Sequence, residues 1–279
     1  MVKSAKMQAE KNKIGRIMHI DRAYQKGFND RKRRAGCARG LISGMKRFLA
    51  LAIPLCISSA LAANLPLPPD LIDLQSPQGQ ALFLQSTDRQ AYWPLSAAFQ
   101  TQENQAFCGV ASLVMILNSL PVPAPVSPAN APYRYFTQED LFPSGGKNFL
   151  DGDWIAHHGL TLDQFGALGA HFGLGARVVH MKSGGLARFR KEIVQALTTP
   201  EEFVAVNFWR PALGEQGYGH ISPLAAYDSH TDRFLLLDVA RYKYPPAWVK
   251  AADLYSAADT VDKTSNDTRG YVVFSMPAR

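Results

Sequence analysis

The stretch from Cys108 to Leu120 carries no charge and no proline, and no glycine after Gly109. Ala111, Met115 and Asn118, with Val114 and Leu117 beside them, recur at helical spacing, and apolar side chains cover almost the whole circumference. A helix with no polar face cannot lie on a surface, so the rest of the chain must enclose it. The chain has the means: 279 residues, 47% hydrophobic and 19% charged, are enough for a large core without disulfide staples. Disordered, collagenous and disulfide-built classes are excluded.

Other elements are expected around this helix. Asn64 to Leu71 is a proline-rich lead-in, Gln80–Ser86 begins the fold, and Pro121 to Pro132 is an irregular connector. Thr161 followed by Gln164 is a capping box, and Leu162, Phe165, Leu168 and Phe172 give the stripe of the helix it opens. A further helix is predicted over Leu186–Leu197. Strands are predicted over Glu202–Trp209, Ile221–Tyr227, Phe234–Ala240 and Tyr271–Met276. Helices first and strands later give an α+β fold, with the helical part that bears the Cys helix packed on an antiparallel sheet. No internal repeat or low-complexity tract interrupts it.

The formal charge of +7 suggests a polyanion partner until it is divided. Residues 1–63 hold 14 Lys and Arg against 3 Asp and Glu, whereas 64–279 hold 16 against 20. The folded part is mildly acidic, so no nucleic-acid partner is expected. Residues 45–62 have a basic start at Lys46-Arg47, an uncharged run from Phe48 to Leu61 and the small-residue site Ala60-Leu61-Ala62, the pattern of a signal peptide cleaved after Ala62. The run falls short of the ~20 residues that span a bilayer, so no stable membrane span is expected after cleavage. The alternative is an inner-membrane anchor made by the uncleaved segment. Cys56 follows Leu55 where a lipoprotein needs a small residue, which argues against lipidation. Residues 1–44, with the run Arg31–Arg34, are a basic extension or the result of a start codon placed too far upstream. Export to the periplasm or beyond leaves residues 63–279 as one domain.

Removal of Cys37 and Cys56 with the leader leaves Cys108 as the single thiol. It is a small core hydrophobe or a nucleophile, and its place at a helix start favours the thiolate. A base is needed, and His220 in Gly217-Tyr218-Gly219-His220 stands just before a strand. His157, His158, His171, His180 and His230 are its competitors, each read as a surface or structural histidine. Asp238 ends the apolar run Phe234–Leu237, where burial of a carboxylate calls for a charged partner such as an imidazolium. Gln102, six residues before the thiol, has an amide able to face an oxyanion. Nucleophile, base and orienter are then all present.

Three blocks, Gln102–Gly109, Gly219–Tyr227 and Asp238–Val249, resemble the signature blocks of phytochelatin synthases, papain-fold glutathione γ-glutamylcysteinyltransferases. The resemblance covers roughly residues 80–279. It implies Cys108 as the acylated nucleophile, His220 as base, Asp238 as its orienter and Gln102 as oxyanion donor. It also implies Arg210, Arg241, Lys243 and Tyr244 around the substrate, and guanidinium groups suit the two carboxylates of glutathione. The implied reaction expels glycine and leaves a γ-Glu-Cys thioester, which water resolves to γ-Glu-Cys or a second glutathione to phytochelatin. Because the chain stops soon after the catalytic block, without a Cys-rich C-terminal domain, it resembles the short prokaryotic form, for which hydrolysis is expected first and transfer second. No protein-bound cofactor or metal is expected; cadmium or zinc would enter as a glutathione thiolate complex, and a homodimer is left open. Two rivals stand beside this reading. A papain-like peptidase acting on other peptides would not call for the block Arg241-Tyr242-Lys243-Tyr244-Pro245-Pro246. A periplasmic metal-binding protein, suggested by His157 and His158 beside Asp151 and Asp153, would want more thiolates than one.

Overall fold

A computed structural model describes residues 64–128, 131–181 and 184–277. The basic extension and the signal segment expected over residues 1–62 lie outside the described residues. Nine strands are described: β1 (Ile72–Asp73), β2 (Gly175–His180), β3 (Glu202–Trp209), β4 (Gly219–Asp228), β5 (Arg233–Leu236), β6 (Ala247–Lys250), β7 (Val261–Asp262), β8 (Asp267–Thr268) and β9 (Gly270–Ser275). Seven of them make one antiparallel sheet in the order β1-β6-β5-β4-β3-β9-β2, and β7 with β8 forms a small separate hairpin. The α-helices are α1 (Pro77–Gln85), α2 (Tyr92–Ala97), α3 (Cys108–Ser119), α4 (Gly152–His158), α5 (Leu162–His171), α6 (Gly185–Thr198) and α7 (Ala251–Ala258). The fold is α+β, as the order of elements implies.

In β3 and β4 consecutive residues are buried without alternation. Successive strand side chains point to opposite faces, so this pattern requires cover on both. The cover comes from α3 and α2 against β4, α6 and α7 against β3, and α5 against β2 and β9. In α3 every residue from Cys108 to Leu117 is buried, which meets the requirement set by its apolar circumference. Its close approach depends on Gly109, where a Cβ would stand 2.9 Å from a methyl of Leu160 and 3.3 Å from the Phe165 ring. Ser112 Oγ donates to the Ile221 carbonyl at 3.1 Å and pins the helix to β4.

The Thr161 and Gln164 capping box opens α5 with both reciprocal bonds made. The strand expected over Phe234–Ala240 is shorter than its apolar pattern, ending at Leu236. The Asp238 carboxylate accepts from the Ala240 N–H at 2.8 Å, a local bond that competes with the ladder and turns the chain away. Asp238 therefore stands beyond the strand rather than at its end. Helices and strands are also less segregated than expected, since β2 precedes α6 and α7 lies between β6 and β7. Residues Gly152–His158 form a short helix capped by Asp151, whose side chain accepts from the N–H groups of Asp153 and Trp154.

Candidate active site

Cys108 is the first residue of α3, preceded by Phe107, which offers no side-chain cap. The amides of the first turn have no intrahelical acceptor, and with the helix dipole they favour negative charge on the thiol. His220 is the second residue of β4 and faces Phe208 across the ladder. Next to it Ile221 is the residue tied to Ser112, so one hydrogen bond fixes the helix start against the strand start. The result is a hydrogen-bonded pair of Cys108 and His220. Burial pushes the thiol pKa up, but the hydrogen bond and charge of His220, with the Ile221 and Gly109 backbone, outweigh it, and the net direction is down.

The His220 Nε2 lies 2.9 Å from Asp238 Oδ1 and 2.8 Å from Ser222 Oγ, which leaves Nδ1 for the thiol. Burial disfavours the imidazolium, yet the Asp238 charge prevails and raises the His220 pKa. Asp238, 1% exposed, is held well below the usual carboxylate range, because His220 and Arg210 overcome its burial. Ser222 Oγ also accepts from the Val239 N–H at 3.2 Å and so joins β4 to the Asp238 turn. The structure thus brings Cys108, His220 and Asp238 together, in an arrangement able to hold a thiolate beside an imidazolium.

A cavity of about 770 Å³ opens at the thiol. His157 to Thr161 form one wall, Asn207, Trp209 and Tyr218 to Ile221 another, and Thr260 to Thr264 with Arg269 a third. Arg269 is 5% exposed and stacks on Trp209, its guanidinium carbon 5.0 Å from the ring centroid. Its Nη1 donates to the Val261 carbonyl at 2.8 Å and to Thr260 Oγ1 at 3.1 Å, while Asp262 lies 3.9 Å from Nη2. The Nε, buried, has no partner. Burial pulls the Arg269 pKa down against the pull of Asp262. Two further imidazoles of the cavity, His157 and His158, place Nδ1 on backbone carbonyls one turn back. Among the described residues no cluster of three His, Cys, Asp or Glu side chains is arranged to hold a metal ion.

The four residues expected around the substrate do not line this cavity. Arg210 is 3% exposed and lies behind the catalytic-type trio: Nη1 donates to Glu215 Oε2 at 2.5 Å and Nη2 lies 2.8 Å from Asp238 Oδ2. Two buried carboxylates hold the guanidinium, so none of its charge is presented to the cavity. Tyr244 is buried too; its ring lies 5.3 Å from the Arg210 guanidinium carbon and its Oη accepts from the Gln216 N–H at 2.8 Å. Lys243 packs at Gly217, where a Cβ would sit 2.8 Å from Nζ and where φ is +125°, a conformation glycine tolerates. Arg241 turns to a second hollow, its guanidinium carbon 4.6 Å from the Phe99 ring centroid. Gln102 Nε2 is already engaged, donating to the Asn104 carbonyl at 2.9 Å and to Tyr242 Oη at 3.1 Å, while its Oε1 is buried without a partner.

Sequence reasoning missed Trp209, Asp262 and Arg269 at the cavity, and Glu215, Ser222 and Tyr242 around the trio. Only Arg269 left a signal, a lone cation immediately before the apolar strand Gly270–Ser275.

Comparison with known proteins adds the lineage. Residues 62–271 match the family model described as phytochelatin synthase. The chain is similar to glutathione gamma-glutamylcysteinyltransferase 1 of Lotus japonicus, 33% identical over 222 residues that cover 77% of this chain and 42% of that protein. It is 32% identical over 216 residues to glutathione gamma-glutamylcysteinyltransferase 2 of Arabidopsis thaliana, covering 76% and 46% respectively. The corresponding enzyme of Schizosaccharomyces pombe is 32% identical over 210 residues, 74% of this chain and 49% of that one. The chain spans less than half the length of these curated relatives. A match across three quarters of the sequence, on the residues that build the trio and its cavity, places the chain in the phytochelatin synthase family.

Proposed function

We propose that this chain cleaves the Cys–Gly amide of glutathione through an acyl-enzyme on Cys108. The observation that carries the proposal is the Cys108–His220–Asp238 trio at a cavity whose lining also holds a buried, incompletely partnered arginine beside a carboxylate. The free end of the γ-glutamyl group carries an α-carboxylate and an α-ammonium. Arg269 suits the first and Asp262 the second, and the Trp209 ring gives the arginine a fixed plane.

In this reading the Cys108 thiolate attacks the carbonyl carbon of the Cys–Gly bond, and the charge passes to the carbonyl oxygen. Gln102 serves as a donor by exchanging Tyr242 Oη for that oxyanion. As the tetrahedral centre collapses the C–N bond breaks, His220 Nδ1–H gives its proton to the departing glycine nitrogen, and Cys108 keeps γ-Glu-Cys as a thioester. His220, now neutral, takes a proton from the second nucleophile. Water gives γ-Glu-Cys and the free thiol; the α-amino group of another glutathione gives phytochelatin. Asp238 keeps the imidazole oriented and stabilises its charged form in both halves. Hydrolysis is proposed as the predominant outcome. Cadmium or zinc belongs to the substrate, as a glutathione thiolate complex, with no cofactor held by the protein.

Export is part of the proposal, supported by the leader pattern over residues 45–62. Among the described residues no helix is long and apolar enough to cross a membrane. N-terminal sequencing of the protein recovered from cells is expected to start at Ala63, and a start at Met1 or Met45 would overturn export with cleavage. The activity is tested by incubating residues 63–279 with glutathione, with and without cadmium, beside Cys108→Ala. Cys108-dependent glycine release is expected, with γ-Glu-Cys exceeding phytochelatin by mass spectrometry. No release under either condition would overturn the assignment and favour a peptidase acting on other peptides.

A further inference from the structure

Asp238 serves two cations at once. Its Oδ1 lies 2.9 Å from His220 Nε2 and also accepts from Arg210 Nη2 at 3.0 Å, while its Oδ2 lies 2.8 Å from the same Nη2. A guanidinium this close draws on the same carboxylate charge that the imidazolium needs, and its own charge opposes imidazolium formation. Glu215, 5% exposed, takes the other side of the guanidinium at 2.5 Å. It sits just beyond the 3₁₀ turn Arg210–Leu213, and its own N–H donates to the Arg210 carbonyl at 3.1 Å, so side chain and backbone close one loop.

We propose that Glu215 is a positioning residue that sets the charge state of the Cys108–His220 pair through Arg210. The groups facing it are Arg210 from the 3₁₀ turn, Asp238 and Lys243 from the loop after β5, and His220 from β4. With Cys108 as thiolate and His220 as imidazolium, the cations Arg210, His220 and Lys243 match the anions Glu215, Asp238 and Cys108. Removing the charge of Glu215 leaves the buried Arg210 guanidinium countered by Asp238 alone, and that carboxylate is then shared less favourably with His220. Glu215 acts on His220 and not on the thiol directly, so without it the balance moves from thiolate and imidazolium towards thiol and neutral imidazole, and Cys108 then forms its thiolate only by losing that proton to solvent beside an uncharged His220, at higher pH. Tyr244 stacks on Arg210 and fixes its plane, so that the guanidinium cannot swing to compensate.

This inference rests on Cys108 and His220 forming an ion pair, but not on glutathione as substrate, so its test uses a neutral alkylating agent. The rate of iodoacetamide reaction at Cys108 is followed against pH by mass spectrometry of the Cys108 peptide, which separates it from Cys37 and Cys56. The parent protein is expected to show a thiolate limb below the ordinary thiol range. Glu215→Gln is expected to move that limb up by on the order of one pH unit, about a tenfold loss of rate on the limb. Glu215→Asp, whose shorter carboxylate draws back from Arg210, is expected to shift it less and in the same direction, and it carries the test if the Gln variant does not fold. A fall in melting temperature with an unmoved limb in both variants would make Glu215 structural only and overturn the proposal. An ordinary thiol limb in the parent protein would overturn the ion pair itself, and with it the nucleophile reading.

Discussion

Arg210 and Arg269 are both nearly inaccessible arginines, and both stack on aromatic rings, yet their surroundings are opposite. Arg210 meets two carboxylates, and although burial works against its charge, Asp238 and Glu215 raise its pKa. Arg269 meets backbone carbonyls, a hydroxyl and one carboxylate at 3.9 Å, and burial lowers its pKa. A buried ion satisfied from all sides belongs to the scaffold. One left with an unpartnered N–H at a cavity wall is electrostatically incomplete, and a ligand carboxylate would complete it.

The comparison breaks first under Arg210→Met. That change leaves Asp238 and Glu215 buried without their shared cation, and loss of one partner of a buried ion pair costs about 3–5 kcal/mol. The melting temperature is expected to fall by roughly 6–20 °C, measured by calorimetry; an unchanged value would show that Arg210 is not the scaffold cation described here. Arg269→Met should behave in the opposite sense. Its charge-assisted bonds to a substrate carboxylate are worth about 1.5–3 kcal/mol, so kcat/KM for glutathione is expected to drop about 10- to 150-fold with the thiolate limb of Cys108 unmoved. Equal losses of stability in the two variants would erase the distinction.

A surface carboxylate supplies the reference for how much ion pairing yields without enclosure. Glu192 accepts from Tyr271 Oη, Arg188 and Arg177, and these overcome its partial burial to bring its pKa to about 2. A carboxylate with a depressed folded pKa stabilises the fold above its unfolded value, near 4.5, and the contribution is lost as pH falls towards 2. Glu192→Gln is therefore expected to lower the melting temperature by about 2–4 °C at pH 7 and by nothing at pH 2. Smallest is the cap of α5: Thr161→Ala removes the hydroxyl that accepts from the Gln164 N–H, at a cost of about 1 kcal/mol, read as a similar or lesser shift at any pH.

Legibility followed the range of the interaction. The α3 helix, the capping box and strand β3 could be read from neighbouring residues, because burial on all sides, a Thr with a Gln three residues on, and a run of β-formers are local statements. Strand β2 and helix α7 are not legible, since Gly175–His180 shows no alternation of buried and exposed residues and Ala251–Ala258 is only eight residues long, with no side-chain cap to mark its start. The pairing of Arg210 with Glu215 and Asp238 is not legible for a related reason. A basic residue next to a strand end looks the same in sequence whether it meets a ligand or a carboxylate 28 positions away.

By itself the sequence determined that an apolar helix with a thiol at its first turn must be enclosed by an α+β body, because hydrophobic periodicity and capping act over a few residues. It also supplied Cys108, His220 and Asp238, whose chemistry is written in their side chains. Only the tertiary structure decided which cation balances which anion. Charge pairing acts through space, across β4, the Asp238 turn and the loop of Glu215, and the distances of 2.8 and 2.9 Å that tie Asp238 to Arg210 and His220 are set by how the sheet and helices pack.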